Sequence, residues 1–211
     1  MRILLRTLVI LAALCVAPAH GQGLPPDVLV RNVTTEVVEL ITKDREIRSG
    51  SRAKLIEVIE SKVLPHFGFQ SMTVLAVGQN WNKATPEQKK RLIEEFKTLL
   101  VRTYASALAA FSEQRFDFRP LRAKPTDTDV TVQVRVIQSG AQPVPIDYSM
   151  EKTASGWKVY DVMIGGVSLV ANYRTEFNST VRESGIEGLI KNLHAKNRSL
   201  ESDAPPPAEK K

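Results

Sequence analysis

VTVQVRVIQSGAQPVPIDYSMEKTASGWKVYDVMI, residues 130–164, decides the fold class. Val130, Val132, Val134 and Val136 alternate with Thr131, Gln133 and Arg135. Val144, Ile146, Tyr148 and Met150 alternate with Pro145, Asp147, Ser149 and Glu151. A period of two sends successive side chains to opposite faces, so both stretches read as strands with one apolar face. Trp157 to Ile164 reads as a further strand, and Phe116 and Phe118, set among charged residues, as one before them. Asp127-Thr128, Ser139-Gly140 and Ser155-Gly156 supply turns between them. Connections this short predict a four-stranded antiparallel meander.

Helical spacing surrounds that block. Leu29, Val33, Val37, Leu40 and Ile41 predict a helix over 25–43. Leu55, Ile59 and Val63 predict a second over 51–64, ended by Pro65. Phe67 to Val77 reads as a short apolar helical stretch before Gly78. Thr85-Pro86-Glu87-Gln88 is a helix start, with Thr85 as cap, Pro86 in the first turn and Gln88 reaching back. That helix runs to about Phe111, with Leu92, Phe96, Leu99, Leu100, Tyr104 and Leu108 on its apolar stripe. Beyond the strands, Gly165-Gly166 reads as a strand-to-helix turn. Val167 to about Arg182 reads as a helix, and Gly185 separates it from a last one carrying Ile186, Leu189, Ile190 and Leu193. An apolar sheet face must be buried, and helices are the cover on offer. The fold class is α+β: a curved antiparallel sheet wrapped by about six helices.

Residues 1–21 read as a signal peptide. Arg2 and Arg6 open it, Leu8 to Val16 is an uncharged apolar run, and Ala17 to Gly21 are mostly small. Cleavage after Ala19 or after Gly21 fits. The run is shorter than the roughly 20 residues a membrane span needs. Cys15 follows Leu14 and lacks a lipobox, so it reads as part of the leader. The mature chain then has no disulfide and rests on its core. The domain extends over 22–201, and the charged, Pro-rich 202–211 reads as a disordered tail.

The net charge of +6 invites a nucleic-acid reading. Export and the scatter of Lys and Arg along the helices argue against it. Outside the leader the histidines are His66 and His194, and no metal, phosphate-loop or nucleophile-elbow motif is present. Asp161, among Val159, Tyr160, Val162 and Met163, has two readings. It faces solvent or pairs with a Lys or Arg, which is the favoured reading, or it is a buried base with a raised pKa. His66 caps a helix end or packs at a core edge; the alternative is a base or ligand. The apolar faces admit a solid core or a cavity for an apolar ligand, and periodicity does not choose between them.

Four stretches together resemble the MlaC family of periplasmic phospholipid carriers, also called toluene-tolerance auxiliary proteins. They are Val63-Leu64-Pro65-His66-Phe67-Gly68-Phe69 with Met72-Thr73 and Val77-Gly78; Trp81 with Ala84 to Gln88, then Phe96, Leu100 and Tyr104; Gly156 to Val162; and Gly166 to Arg174 with Phe177, Gly185 and Leu189-Ile190. They span about residues 25–197. One departure is Gly68, where the family usually carries Asp. The resemblance implies a deep apolar pocket between sheet and helices that takes acyl chains and leaves the head group near its mouth. It implies a phospholipid as cargo, no cofactor and no catalysis. It also implies a shuttle between a MlaA-like outer-membrane lipoprotein complex and the MlaD-like MCE subunit of an inner-membrane ABC transporter, maintaining outer-membrane lipid asymmetry. The expected lining is Phe69, Leu75, Phe96, Leu100, Tyr104, Val134, Tyr148, Met150, Val162, Val167, Val170 and Tyr173. The chain is expected to act as a monomer.

Overall fold

The structure, a computed structural model, describes residues 23–110, 114–138 and 140–202. Residues 1–22, which include Cys15 and the stretch read above as a signal peptide, and residues 111–113, 139 and 203–211 lie outside the described residues.

Helix α1 spans Pro26–Lys43, α2 Arg45–Arg48 and α3 Arg52–Val58. Asp44 and Ser51 cap the second and third through their side chains. The helix expected to run on to residue 64 changes form instead. Ile59–Val63 is a π-helical turn and Leu64–His66 a 3-10 turn. The Pro65 ring cannot extend an α-helix, and a π turn rotates the residues before it. Helix α4 covers Phe69–Val77 and α5 covers Pro86–Ala110. The expected capping box closes α5: Gln88 N donates to Thr85 Oγ1 at 3.2 Å, and Thr85 N donates to Gln88 Oε1 at 3.1 Å.

Among the described residues the sheet has five strands, not four. They are β1 Arg115–Phe118, β2 Asp129–Ile137, β3 Val144–Thr153, β4 Gly156–Ile164 and β5 Val167–Ser168, in that spatial order. Every neighbouring pair is antiparallel. The extra strand corrects the helix expected from Val167. Gly165 and Gly166, at φ +59° and +84°, fold the chain back so that Val167 pairs with Ile164 and Ser168 with Met163. Helix resumes as a 3-10 turn at Ala171–Tyr173 and as α6 at Arg174–Ser202. Helix α6 is broken at Gly185, whose φ of 71° and ψ of −178° suit glycine alone.

A bulge bends the sheet. Met150 pairs with Val159 and Ser149 with Asp161, so Tyr160 has no partner across the ladder. The extra residue puts Val159 and Val162, three apart, on the same face. Beside the bulge, Phe67 bridges Val159, and Gly68 N donates to Val159 O at 2.8 Å, which fixes the start of α4 to the sheet. Gly68 is the residue before that helix and has no side chain to cap it. Glu151 supplies the acid: its Oε1 accepts from Ser71 Oγ in the first turn at 2.5 Å.

Three apolar clusters result. One joins α4, α5 and α6 through Met72, Leu92, Phe96, Phe177 and Leu189. The second is the inner face of the sheet with Val30 of α1. The third joins α1, α3 and α5 through Val37, Ile41, Leu55 and Ala105. Among the described residues no helix is long and apolar enough to cross a membrane.

Candidate functional site

The three clusters do not fuse. A cavity of about 240 Å³ lies where they meet. Helix α1 contributes Leu29, Val30, Val33, Val37 and Ile41 to its wall, and the π and 3-10 turns contribute Ile59, Val63, Leu64 and His66. Helix α5 adds Leu100, Tyr104, Ala105 and Leu108; the sheet adds Ile146, Tyr148, Met150, Val159 and Val162. Phe67, Phe69 and Met72 close it from the start of α4. Among the described residues, four polar side chains reach this wall: Thr34, His66, Tyr104 and Tyr148. An apolar void of about 150 Å³ already stays dry and admits small apolar ligands, so this one is well suited to hydrocarbon.

Of the expected lining, Phe69, Leu100, Tyr104, Tyr148, Met150 and Val162 are brought together on the wall. The other six are elsewhere. Phe96 is fully buried and packs edge-on against Tyr173 at 5.3 Å and Phe177 at 5.4 Å, which makes both Phe96 and Tyr173 part of the α4–α5–α6 core. Leu75 and Val170 pack in that same cluster. Val134 belongs to the sheet's apolar cluster but is buried on β2, between Phe118 of β1 and Ile146 of β3, away from the cavity. Val167 is 54% exposed, because β5 replaced the helix that was to bury it. The α1 stripe, Ile59, Val63 and Phe67 were legible as apolar helical positions. Only the packing of other elements turned them toward a void.

Asp161 corrects the favoured sequence reading. It is 6% exposed, and its partners are not Lys or Arg. Its Oδ1 accepts from the backbone N–H of Val162 at 2.8 Å and of Val170 at 3.3 Å, and its Oδ2 from Ser168 Oγ at 2.6 Å. Ser168 Oγ in turn accepts from Ala171 N at 2.8 Å. The carboxylate ties the segment after β5 to β4 and does not line the cavity. His66 does line it. Burial, and then the nearby Lys158 ammonium, hold its imidazole below the ordinary range, against a weaker pull from Glu36. Burial likewise pushes the Tyr148 phenol up to about 12. Burial and the neighbouring Tyr104 hydroxyl push Tyr173 up as well. Among the described residues, no Lys, Arg, Asp or Glu lines the cavity. Among the described residues no cluster of acids and histidines is placed to hold a metal.

The chain is similar to known proteins in sequence and in fold. The chain is 28% identical over 181 residues to the toluene tolerance protein ttg2D of Pseudomonas putida, covering 84% of this chain and 82% of that one. It is 24% identical over 136 residues to the intermembrane phospholipid transport system binding protein MlaC of Haemophilus influenzae, covering 63% of this chain and 64% of that one. A phospholipid-binding protein from Ralstonia solanacearum, solved in complex with a phospholipid, superposes with a TM-score of 0.77 at 36% identity. That match covers 83% of this chain and 98% of the other. The model of the family described as MlaC protein matches residues 31–195. The chain belongs to the MlaC family.

Proposed function

We propose that this protein is an exported phospholipid carrier that performs no covalent chemistry. The observation that carries the proposal is the cavity, walled by aliphatic and aromatic side chains from the sheet, α1 and α5. Each buried CH₂ contributes roughly 0.8 kcal/mol, so two acyl chains of about 16 carbons do not cross water unaided. A carrier has to match the bilayer, not outbid it. Aliphatic walls with few polar contacts do that, and adaptable Met72 and Met150 accommodate varied chains. The head group stays near the mouth.

The partners in this reading are a MlaA-like complex at the outer membrane and a MlaD-like transporter subunit at the inner membrane. The carrier shuttles between them through the periplasm as a monomer and serves outer-membrane lipid asymmetry. Asp161 is committed to backbone and Ser168 donors, which supports a structural role for it over a catalytic one.

The test is to purify the exported chain without detergent and to analyse its native mass and organic extract. About one phospholipid per chain is expected. A ligand-free mass that stays unchanged after incubation with phospholipid vesicles refutes the carrier reading.

A further inference from the structure

Tyr148 has a polar atom with nothing to bond among the described residues. It lies on β3 between Val132 of β2 and Val162 of β4, so its cross-strand neighbours are aliphatic. Among the described residues its hydroxyl has no hydrogen-bond partner. The hydroxyl is not a sealed orphan either, since the one sealed unpaired side-chain atom among the described residues is Asn197 Oδ1. Tyr148 retains accessible surface although protein surrounds it, and that surface is cavity wall. The oxygen therefore opens into the void. Tyr104, the other phenol on the wall, lies beside the Tyr173 hydroxyl.

A buried phenol normally finds a partner, because leaving a donor unpaired costs about as much as a lost hydrogen bond. An apolar cargo with one embedded acceptor would meet that need. Burial shifts this phenol, and among the described residues no Lys, Arg, Asp or Glu lines the cavity it faces. Without a cation nearby, a phosphate is a poor occupant at this depth. A neutral acceptor is a good one. In a lipid whose chains fill an apolar cavity, the neutral acceptors at the head of each chain are the ester carbonyls.

We propose that the Tyr148 hydroxyl donates a hydrogen bond to an acyl-ester carbonyl of the bound lipid, so that the cavity selects ester-linked over ether-linked chains. This rests on the carrier reading above and adds a chemical preference to it. An ether-linked lipid of equal chain length has no carbonyl there and offers the phenol only a weaker ether oxygen. One neutral hydrogen bond supports a preference of about twofold to tenfold.

The experiment compares dipalmitoyl phosphatidylcholine with its dihexadecyl ether analogue, in competition for the delipidated protein and for Tyr148→Phe. Wild type is expected to retain the ester by about twofold to tenfold over the ether. In Tyr148→Phe the ratio should fall to one or below, since the buried carbonyl then lacks a donor. The carbonyl stretch of the bound ester should sit at lower frequency in wild type than in Tyr148→Phe. A plain packing role for the ring would move neither the ratio nor the stretch. Equal retention of both lipids by wild type, or an unchanged ratio and stretch in Tyr148→Phe, overturns the proposal. If wild type takes up neither lipid, the carrier reading falls and this one falls with it, which is a distinguishable result. Thermal unfolding of the empty Tyr148→Phe protein checks folding, and no loss is expected because the hydroxyl bonds nothing among the described residues.

Discussion

Asp161→Ala should destabilise the protein substantially without emptying its cavity. The carboxylate accepts at 2.8 Å from Val162 N, at 2.6 Å from Ser168 Oγ and at 3.3 Å from Val170 N, and both backbone donors belong to buried residues. A hydrogen bond to a charged group contributes about 1.5–3 kcal/mol, and a buried donor left unpaired costs about 1–3 kcal/mol. The bond to Val170 is long and counts least. Removing a buried charge also recovers some desolvation energy, which offsets part of the loss. The net cost for alanine is about 3 kcal/mol. For a chain of this size, each kcal/mol moves Tm by about 2–4 °C, so a fall of roughly 6–12 °C is expected. Asn keeps one oxygen for the backbone donors but opposes an N–H to the Ser168 hydroxyl; it should cost about 1–2 kcal/mol. The assay is thermal unfolding of delipidated protein followed by circular dichroism, since bound lipid would itself raise Tm. Asp161→Ala within about 0.5 kcal/mol of wild type would refute the clamp. Loss of lipid uptake by a folded Asp161→Asn protein would refute its separation from the site.

Three further outcomes follow from particular contacts. Leu100→Trp, on the cavity wall, should lower bound lipid with little loss of stability, whereas Val134→Trp, in the sealed sheet core, should cost about 1–3 kcal/mol by overpacking; native mass and Tm of the pair decide it, and equal behaviour would count against the boundary drawn between core and cavity. Gly68→Asp offers α4 a cap but sets its Cβ 3.2 Å from Glu151 Oε1, so it should destabilise alone and recover about 1 kcal/mol when combined with Glu151→Gln; additive effects in that double-mutant cycle would sink the argument. His66 is held below its ordinary pKa, so the unfolded chain binds its proton first. Its stabilising effect is then present above about pH 6.5 and is lost as pH falls below that toward the depressed folded value. His66→Gln should flatten the stability profile between about pH 7 and pH 5 measured by urea unfolding, and an unchanged slope would show that His66 contributes none of it.

The antiparallel meander, the order of the helices and the α5 capping box follow from local chemistry. Alternating valines in β2, the Thr85–Gln88 pair and the interruption at Gly185 each act over a few residues, so the sequence alone determines them. What the sequence could not decide lies where distant segments meet. The bulge opposite Ser149 and Met150 breaks the period of two, turning Val162 to the cavity and setting Asp161 beneath the segment after β5. The two glycines fold Val167 into a fifth strand, although its spacing fits a helix equally well. Above all, an apolar stripe records only that a face avoids water. Phe96 meets Tyr173 and Phe177 and is solid core, while Leu100, one turn further along α5, meets an empty space. Both satisfy the same hydrophobic pattern, and only the separation of sheet, α1 and α5 distinguishes a core from a container.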